Sequence, residues 1–385
     1  MSNNVPSIRF KGFTHAWEQR KLGEVANVVG GGTPDTNTPE YWGGEIDWYA
    51  PAEIGEQIYV TGSRRKITAL GLQKSSATML PVGTVLFTSR AGIGNTAILE
   101  KEGATNQGFQ SIVPHEKALD SYFIFSRTLE LKRYGETIGA GSTFVEVSGK
   151  QMAAMLLLIP ALPEQTAIGN FFRTLDDTIT LYKRKLDGLR GLKKGYLQQM
   201  FPQMGERVPR VRFAGFSEDW EEKKLGEIGE IVAGGDVGKA KLYQTGKYPV
   251  IANALTNSGI IGYYLDDYRV EAPAVTVTGR GDVGHAKARK TNFTPVVRLL
   301  AIKSNNNVDF LANAINNLNV FVESTGVPQL TSPQLANYEI CFPTLTEQTA
   351  IGDFFRSMDE QITTQQTKLE KLKQLKAAYM QKMFI

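Results

Sequence analysis

Two short stretches of this 385-residue chain set an arginine among glycines: TSRAGIGN at 88–95 and TGRGDVGH at 278–285. Each follows a β-rich apolar run, GTVLFTS or APAVTVTG. A guanidinium so placed either meets an anion outside the chain or pairs with a neighbouring carboxylate and closes a β-turn. Basic residues gather after the second stretch. Arg280, Lys287, Arg289, Lys290, Arg298 and Lys303 face the single acid Asp282 between positions 280 and 303, and Arg64, Arg65 and Lys66 form a second knot. The net charge of +4 is small, so this distribution, rather than the sum, leans toward a nucleic-acid partner.

Other chemistries find no footing. The three histidines, His15, His115 and His285, lack metal-ligand spacing with one another or with the single cysteine, Cys341. There is no GxxxxGK[ST] phosphate loop and no HExxH, and the GGG at 30–32 and GDVG at 281–284 lack the strand–turn–helix setting of a dinucleotide site. No acidic pair announces a nuclease or glycosidase. No catalytic residue, metal or cofactor is expected. One cysteine excludes an internal disulfide, and no apolar run approaches membrane-spanning length, so a cytoplasmic protein without membrane contact is expected. The longest apolar run, MAAMLLLIP at 152–160, reads as one buried strand.

The elements that must position these residues are written twice. EQTAIGNFF at 164–172 returns as EQTAIGDFF at 347–355, and VPSIRFKGFTHAWEQRKLGE at 5–24 returns as VPRVRFAGFSEDWEEKKLGE at 208–227. The offsets fall from 203 through 190 to 183, as they would if the second of two homologous halves had lost residues between shared landmarks. Trp17 and Trp220, Phe10 and Phe213, and Leu22 and Leu225 recur at matched places and read as core or junction packing. The expected fold class is α+β: two pseudo-twofold-related globular domains separated by two long antiparallel coiled-coil helices. The expected segments are 1–158 and 204–341 for the globular domains, and 159–203 and 342–385 for the helices.

The helices carry the clearest periodicity. Apolar residues recur at Ile168, Phe172, Leu175, Ile179, Tyr182, Leu186 and Leu189, then at Tyr196 and Met200 after Lys193. The second copy runs Ile351, Phe355, Met358, Ile362, Leu369, Leu372, Tyr379 and Met383, interrupted by Gln365 and Lys376. Alternating spacings of four and three make a heptad seam. Pro163 suits a first turn and Pro202 a stop. Gly188, Gly191 and Gly195 each cost up to about 1 kcal/mol relative to alanine, so packing rather than propensity is expected to hold the first helix. A helix of roughly 37 residues at ~1.5 Å each spans about 55 Å, which would hold two heads about 50 Å apart and bring the termini together.

The motif P-x-L-x-E-Q-x-A-I-x-x-F-F, leading into a heptad helix that ends Y-[LM]-Q-x-M-F, resembles the DNA specificity (S) subunits of type I restriction–modification enzymes. The resemblance runs through both W-E-x-[RK]-K-L-G-E openings and both helices. GGTPDTNTPEYWGGEIDW at 31–48 also looks like the start of many target-recognition domains of that family. It implies a non-catalytic reader of double-stranded DNA, each globular domain taking one half of a split target. The coiled coil would dock two DNA-adenine methyltransferase subunits, with ATP-dependent restriction subunits joining the assembly. Heads about 50 Å apart would sit roughly one and a half turns apart on B-DNA, and two dissimilar heads would read an asymmetric, bipartite target.

On that reading the duplication sorts the candidates. Arg90 and Arg280 are common to both heads, so they suit phosphates better than bases, with Gly92, Gly94, Gly281 and Gly284 letting backbone approach the duplex. Base readers belong where the copies diverge. In the first head these are Asn95, Asn106 and Gln107, with Thr33 and Asp35 and the backbone-suited trio Arg64, Arg65 and Lys66. In the second head they are Asn253, His285, Lys287, Arg289 and Lys290. Glu164, Gln165 and Phe171, with Glu347, Gln348 and Phe354, are the candidates for partner binding, while Phe172 and Phe355 pack the seam. Two other readings stand beside this one: a coiled-coil scaffold whose heads bind proteins or glycans, and a single-chain modification enzyme. The second lacks a [DNS]PP[YFW] motif.

Overall fold

The computed structural model describes residues 4–90, 92–140, 146–203, 205–318, 320 and 326–385. The chain divides into two compact units, Met1–Leu181 with Leu369–Ile385, and Tyr182–Lys368.

In the first unit, strand Glu18–Lys21 pairs antiparallel with Leu156–Ile159, which delivers the chain to a long helix, Leu162–Gln199. A five-stranded sheet follows the order Ala26–Gly30, Gln110–Pro114, Val85–Phe87, Thr96–Leu99, Tyr59–Val60. Val85–Phe87 is buried along its whole length, which is why it reads as a continuous apolar run rather than an alternating one. A three-stranded sheet joins Arg65–Ile67, Trp42–Tyr49 and Ala104–Thr105.

The second unit repeats this plan. Glu221–Lys224 pairs antiparallel with Glu339–Phe342 ahead of the second long helix, Leu345–Met383. Its main sheet runs Gly229–Ala233, Leu299–Ser304, Ala274–Thr278, Ala286–Arg289, the order of the first unit without the fifth strand. Its smaller sheet joins Ile260–Tyr264, Tyr248–Ile251 and Thr294–Pro295. The α+β class and the internal repeat are therefore both present in the fold.

The heptad seams close within each unit. In the first, Phe172 stacks on Phe384 and Asp176 meets Lys376, so residues rising along one helix meet residues falling along the other: the pairing is antiparallel. In the second, Arg190 meets Gln366, Lys193 meets Asp359 and the Phe201 ring lies 6.0 Å from that of Phe355, in the same sense. The lysine interruptions are answered across the seam. Lys376 Nζ lies 2.5 Å from Asp176, which also accepts from Tyr122 Oη at 2.9 Å. At the equivalent place in the other unit, Lys193 Nζ lies 2.6 Å from Asp359. The opening segments add main-chain bonds to the helix ends, Ile8 N–H to Lys382 O and Val211 N–H to Gln199 O, both at 2.9 Å.

One expectation needs correction. The run 152–160 is not one strand: its start belongs to the helix Gly149–Ala153, capped by Ser148, and only Leu156–Ile159 is extended. Leu156 is 54% exposed, because the two-stranded ribbon buries one face only. A side chain added at Gly188, Gly191 or Gly195 would meet nothing within 4 Å, so no close helix approach requires these glycines and nothing in the structure explains them.

Candidate nucleic-acid interface

The recurring Thr-x-Arg stretch is a tight loop joining two sheet strands, and its closure explains its spelling. In the first unit Thr88 Oγ1 donates to Gly92 O (2.7 Å) and accepts from Asn95 N–H (2.9 Å). In the second, Thr278 Oγ1 donates to Asp282 O (2.5 Å) and accepts from His285 N–H (3.0 Å). One hydroxyl thus ties both sides of each turn. Gly94 and Gly284 lie at φ +93° and +84°, the left-handed region where only glycine is unstrained. Both are buried, and a Cβ on Gly94 would come within 2.8 Å of Lys132 Cα. These two glycines shape the loop and do not offer a close backbone approach at the surface; Gly92 and Gly281 are the exposed ones.

The loop presents its arginines outward. Arg280 is exposed, and its backbone is held from behind by Asn253, whose amide donates to Arg280 O (2.8 Å) and accepts from Gly279 N–H (2.7 Å). Asn253 spends its hydrogen bonds on fixing the loop, which corrects its assignment as a base reader. Arg90 reaches Glu146 at 4.0 Å, the outer limit of an ion pair.

Around the first loop the structure gathers most of the first-head candidates. Thr33 Oγ1 donates to Gln107 Oε1. Asn106 Oδ1 accepts from Gly108 N–H (2.8 Å), Gly108 O accepts from Ser89 N–H (2.8 Å), and the Asn95 amide reaches Ile54 O (3.3 Å). Asn106 therefore caps a turn, and exposed Gln107 and Asn95 are better placed to meet a base. The Asp35 carboxylate accepts from Asn37 N–H (3.0 Å) and Thr38 Oγ1 (3.1 Å), the bonds of a turn rather than of a reading side chain. The basic trio separates into three environments. Arg64 is tied by its backbone N–H to Glu53, and Lys66 lies 3.9 Å from Asp47. The Arg65 guanidinium stacks 3.7 Å over the Trp42 ring, a placement that holds its planar fork in one orientation.

In the second unit Lys287 and Arg289 share one strand, and both reach Ser258. Lys287 Nζ donates to Ser258 Oγ (2.6 Å), and Arg289 donates to Ser258 O (3.0 Å) and Thr276 Oγ1 (2.9 Å). Burial pulls the Arg289 guanidinium down to about 10. Lys287 is lowered as well, by burial and then by the Arg289 charge, although the residue as a whole is solvent-exposed. Lys290 points elsewhere, to Asp309 at 2.7 Å. Arg190 and Lys194 on the first long helix line the same cleft as His285, Lys287 and Arg289. Sequence reading missed both, because they sit among other basic helix residues that look like a solvated face.

The proposed partner-binding residues are corrected more firmly. Glu164 and Glu347 are 1% and 0% exposed, and each forms a two-point pair with an arginine of the opening segment: Arg9 at 2.5 and 2.7 Å, Arg212 at 2.6 and 2.7 Å. Gln165 and Gln348 are buried too. Each accepts from the backbone N–H of a helix-capping residue, Asp120 or Asn307, and donates to Pro160 O or Pro343 O. Phe171 and Phe354 pack edge-on against Phe10 and Phe213. EQTAIG-x-FF is thus the joint between opening segment, helix and head, and its glutamates and glutamines face inward.

The family model of the type I restriction modification DNA specificity domain matches this chain twice, over residues 15–190 and 217–374. The specificity subunit of the type I restriction enzyme MjaIX from Methanocaldococcus jannaschii is 30% identical over 246 residues, covering 61% of this chain and 57% of that protein. The specificity subunit of EcoR124I/EcoR124II from Escherichia coli is 28% identical over 174 residues, 42% of either chain. The chain's matches thus span about half the length of these curated relatives. A solved type I restriction–modification S subunit from M. genitalium covers 99% of both chains with a TM-score of 0.70 at 15% identity, a likeness of fold.

Proposed function

The chain belongs to the family of type I restriction modification DNA specificity domains, and from that premise we propose that it is the non-catalytic subunit that reads DNA for a type I restriction–modification complex. The observation that carries this reading is that two units of one topology present the same arginine loop amid different chemistry. The constant part, Arg90 and Arg280, suits the constant part of DNA, its phosphates. The divergent parts, Gln107, Asn95 and Arg65 in one unit and His285 with its neighbours in the other, suit different base edges. The target is accordingly asymmetric and bipartite, with an unread gap.

The helices dock two DNA-adenine methyltransferase subunits, and restriction subunits assemble on that core. With the EQTAIG residues turned inward, the docking surface falls to helix positions outside the seam. Leu192 and Leu375 are equivalent positions of the repeat and are 56% and 44% exposed, which suits two copies of one partner.

A binding selection tests the reading. The chain, co-purified with its methyltransferase, is incubated with random duplex DNA and the retained molecules are sequenced. A split motif with a fixed gap is the expected result; a continuous motif, or none, sinks the proposal. Arg280→Ala is expected to weaken binding to every sequence alike and to reduce the slope of log affinity against log salt by about 0.9, one phosphate contact. A changed base preference at unchanged overall affinity would instead make Arg280 a base reader.

A further inference from the structure

The second unit carries a cleft beside its arginine loop whose chemistry is one-sided, whereas the cleft at the matching place in the first unit, lined by Asn95, Thr96 and Lys373, also carries Glu56 and Glu130. The second unit's cleft encloses about 510 Å³ and is lined by Arg190, Lys193 and Lys194 from the first long helix and by His285, Lys287 and Arg289 from the strand that follows the arginine loop. No carboxylate lines it among the described residues. The nearby acids are already engaged, Asp359 by Lys193 at 2.6 Å and Asp309 by Lys290 at 2.7 Å. Arg289 meets only the neutral oxygens of Thr276 and Ser258. The second residue on Ser258, Lys287, also donates to a neutral oxygen. Cations that meet only neutral oxygens, with no acid among the described residues lining their cleft, are set for an anion supplied from outside.

Topology explains why the two clefts differ. In the first unit the corresponding strand, Thr96–Leu99, is buried throughout and covered by the fifth strand, Tyr59–Val60. In the second that cover is missing, and Ala286–Arg289 is the sheet's edge. Charges on an edge strand commonly block unwanted strand pairing, and for that they need only stand in water. Here both fold inward onto Ser258, which, like Asn257 before it, holds a left-handed backbone at φ +55° and +47°. Two consecutive non-glycine residues in that region are a sustained cost. Ser258 gives its hydroxyl to Lys287 and its carbonyl to Arg289, so the strained turn serves to aim the two cations.

We propose that this cleft takes phosphate groups of the nucleic-acid backbone, with Arg190 and Lys194 of the helix and Lys287 and Arg289 of the edge strand as its donors. The proposal rests on the DNA-reading function above and adds to it: the long helix is itself a DNA contact in the second unit, and the two units grip their half-sites unequally. The cleft begins at His285, the last residue of the arginine loop, so a strand contacting Arg280 continues into it.

The test uses the full chain with its methyltransferase and a duplex bearing the selected target. Arg190→Gln with Lys194→Gln changes two exposed helix residues and leaves the edge strand untouched. The expected result is weaker binding by tenfold or more at near-physiological salt, a salt slope shallower by about 1.8, and an unchanged recognised sequence. Lys373→Gln with Lys376 left intact, at the first-unit place equivalent to Arg190, is expected to change the slope little. An unchanged slope in the Arg190/Lys194 variant, while the wild-type complex still selects a split motif, overturns the cleft and spares the function. Failure of the wild-type complex to select any motif overturns both. Stabilisation of the wild-type melting temperature by inorganic pyrophosphate, with duplex affinity unaltered in the variant, assigns the cleft to a free phosphate compound and overturns the backbone assignment.

Discussion

Arg212→Ala is expected to destabilise the second unit by about 3–5 kcal/mol, because it strands a carboxylate that the fold cannot hydrate. Glu347 is fully buried, and both its oxygens are taken by the Arg212 guanidinium at 2.6 and 2.7 Å. Removing one partner leaves a charge in a low-dielectric joint, a far greater loss than the attraction of an exposed pair. Replacing both residues by apolar side chains of similar volume, Arg212→Met with Glu347→Leu, is expected to recover most of that loss. Chemical denaturation followed by hydrogen exchange over peptides of each unit checks the pair. A single variant within about 0.5 kcal/mol of wild type would mean that water reaches Glu347, and that the pair serves orientation only. The same experiment on Arg9 and Glu164 should act on the first unit, where the pair recurs at 2.5 and 2.7 Å.

That pair also shows where sequence reading succeeds and where it fails. The repeat, the fold class and the antiparallel heptads were legible because periodicity and duplication survive without coordinates. The role of the EQTAIG motif was not. Glutamate and glutamine beside paired phenylalanines resemble an exposed docking patch, and nothing in the local pattern says that Arg9, 155 positions earlier, will cover them. The long-range partner decides burial. The seam lysines are the reverse case: Lys193 and Lys376 looked like interruptions, and each proved to be answered by an aspartate of the facing helix. Within the heads, Asn253, Asp35 and Asn106 have the side chains of base readers, and the structure uses them on its own turns. Short polar side chains serve backbone and base edges alike, so composition alone could not separate the two uses. Arg65 could be picked out only once Trp42 was seen beneath it, because the stacking joins residues 42 and 65 of a bulged strand pair.

The repeated ending Y-[LM]-Q-x-M-F leads to the second large effect. Each long helix finishes by driving a Met–Phe pair into the core beneath a head. Met200 and Phe201, 3% and 4% exposed, lie in the core of the second unit, where Phe201 meets Trp220, Phe310 and Phe355. Met383 and Phe384 do the same in the first unit, against Trp17, Phe123 and Phe172. Phe201→Ala removes a ring from a packed aromatic cluster and is expected to cost about 3–5 kcal/mol, the usual range for such a cavity. Phe384→Ala should cost about half as much, since Phe384 is only partly buried. The informative readout is where the loss falls. Faster hydrogen exchange in Phe201→Ala should be concentrated in the strands Ala274–Thr278 and Leu299–Ser304, while Val85–Phe87 and Gln110–Pro114 keep their protection. Equal loss in both sets would mean that the two cores open together, and that the helix ends join one cooperative body instead of sealing each core separately. Concentrated loss would make each Met–Phe pair a local lock, which allows one head to change its surface residues without unsettling the other.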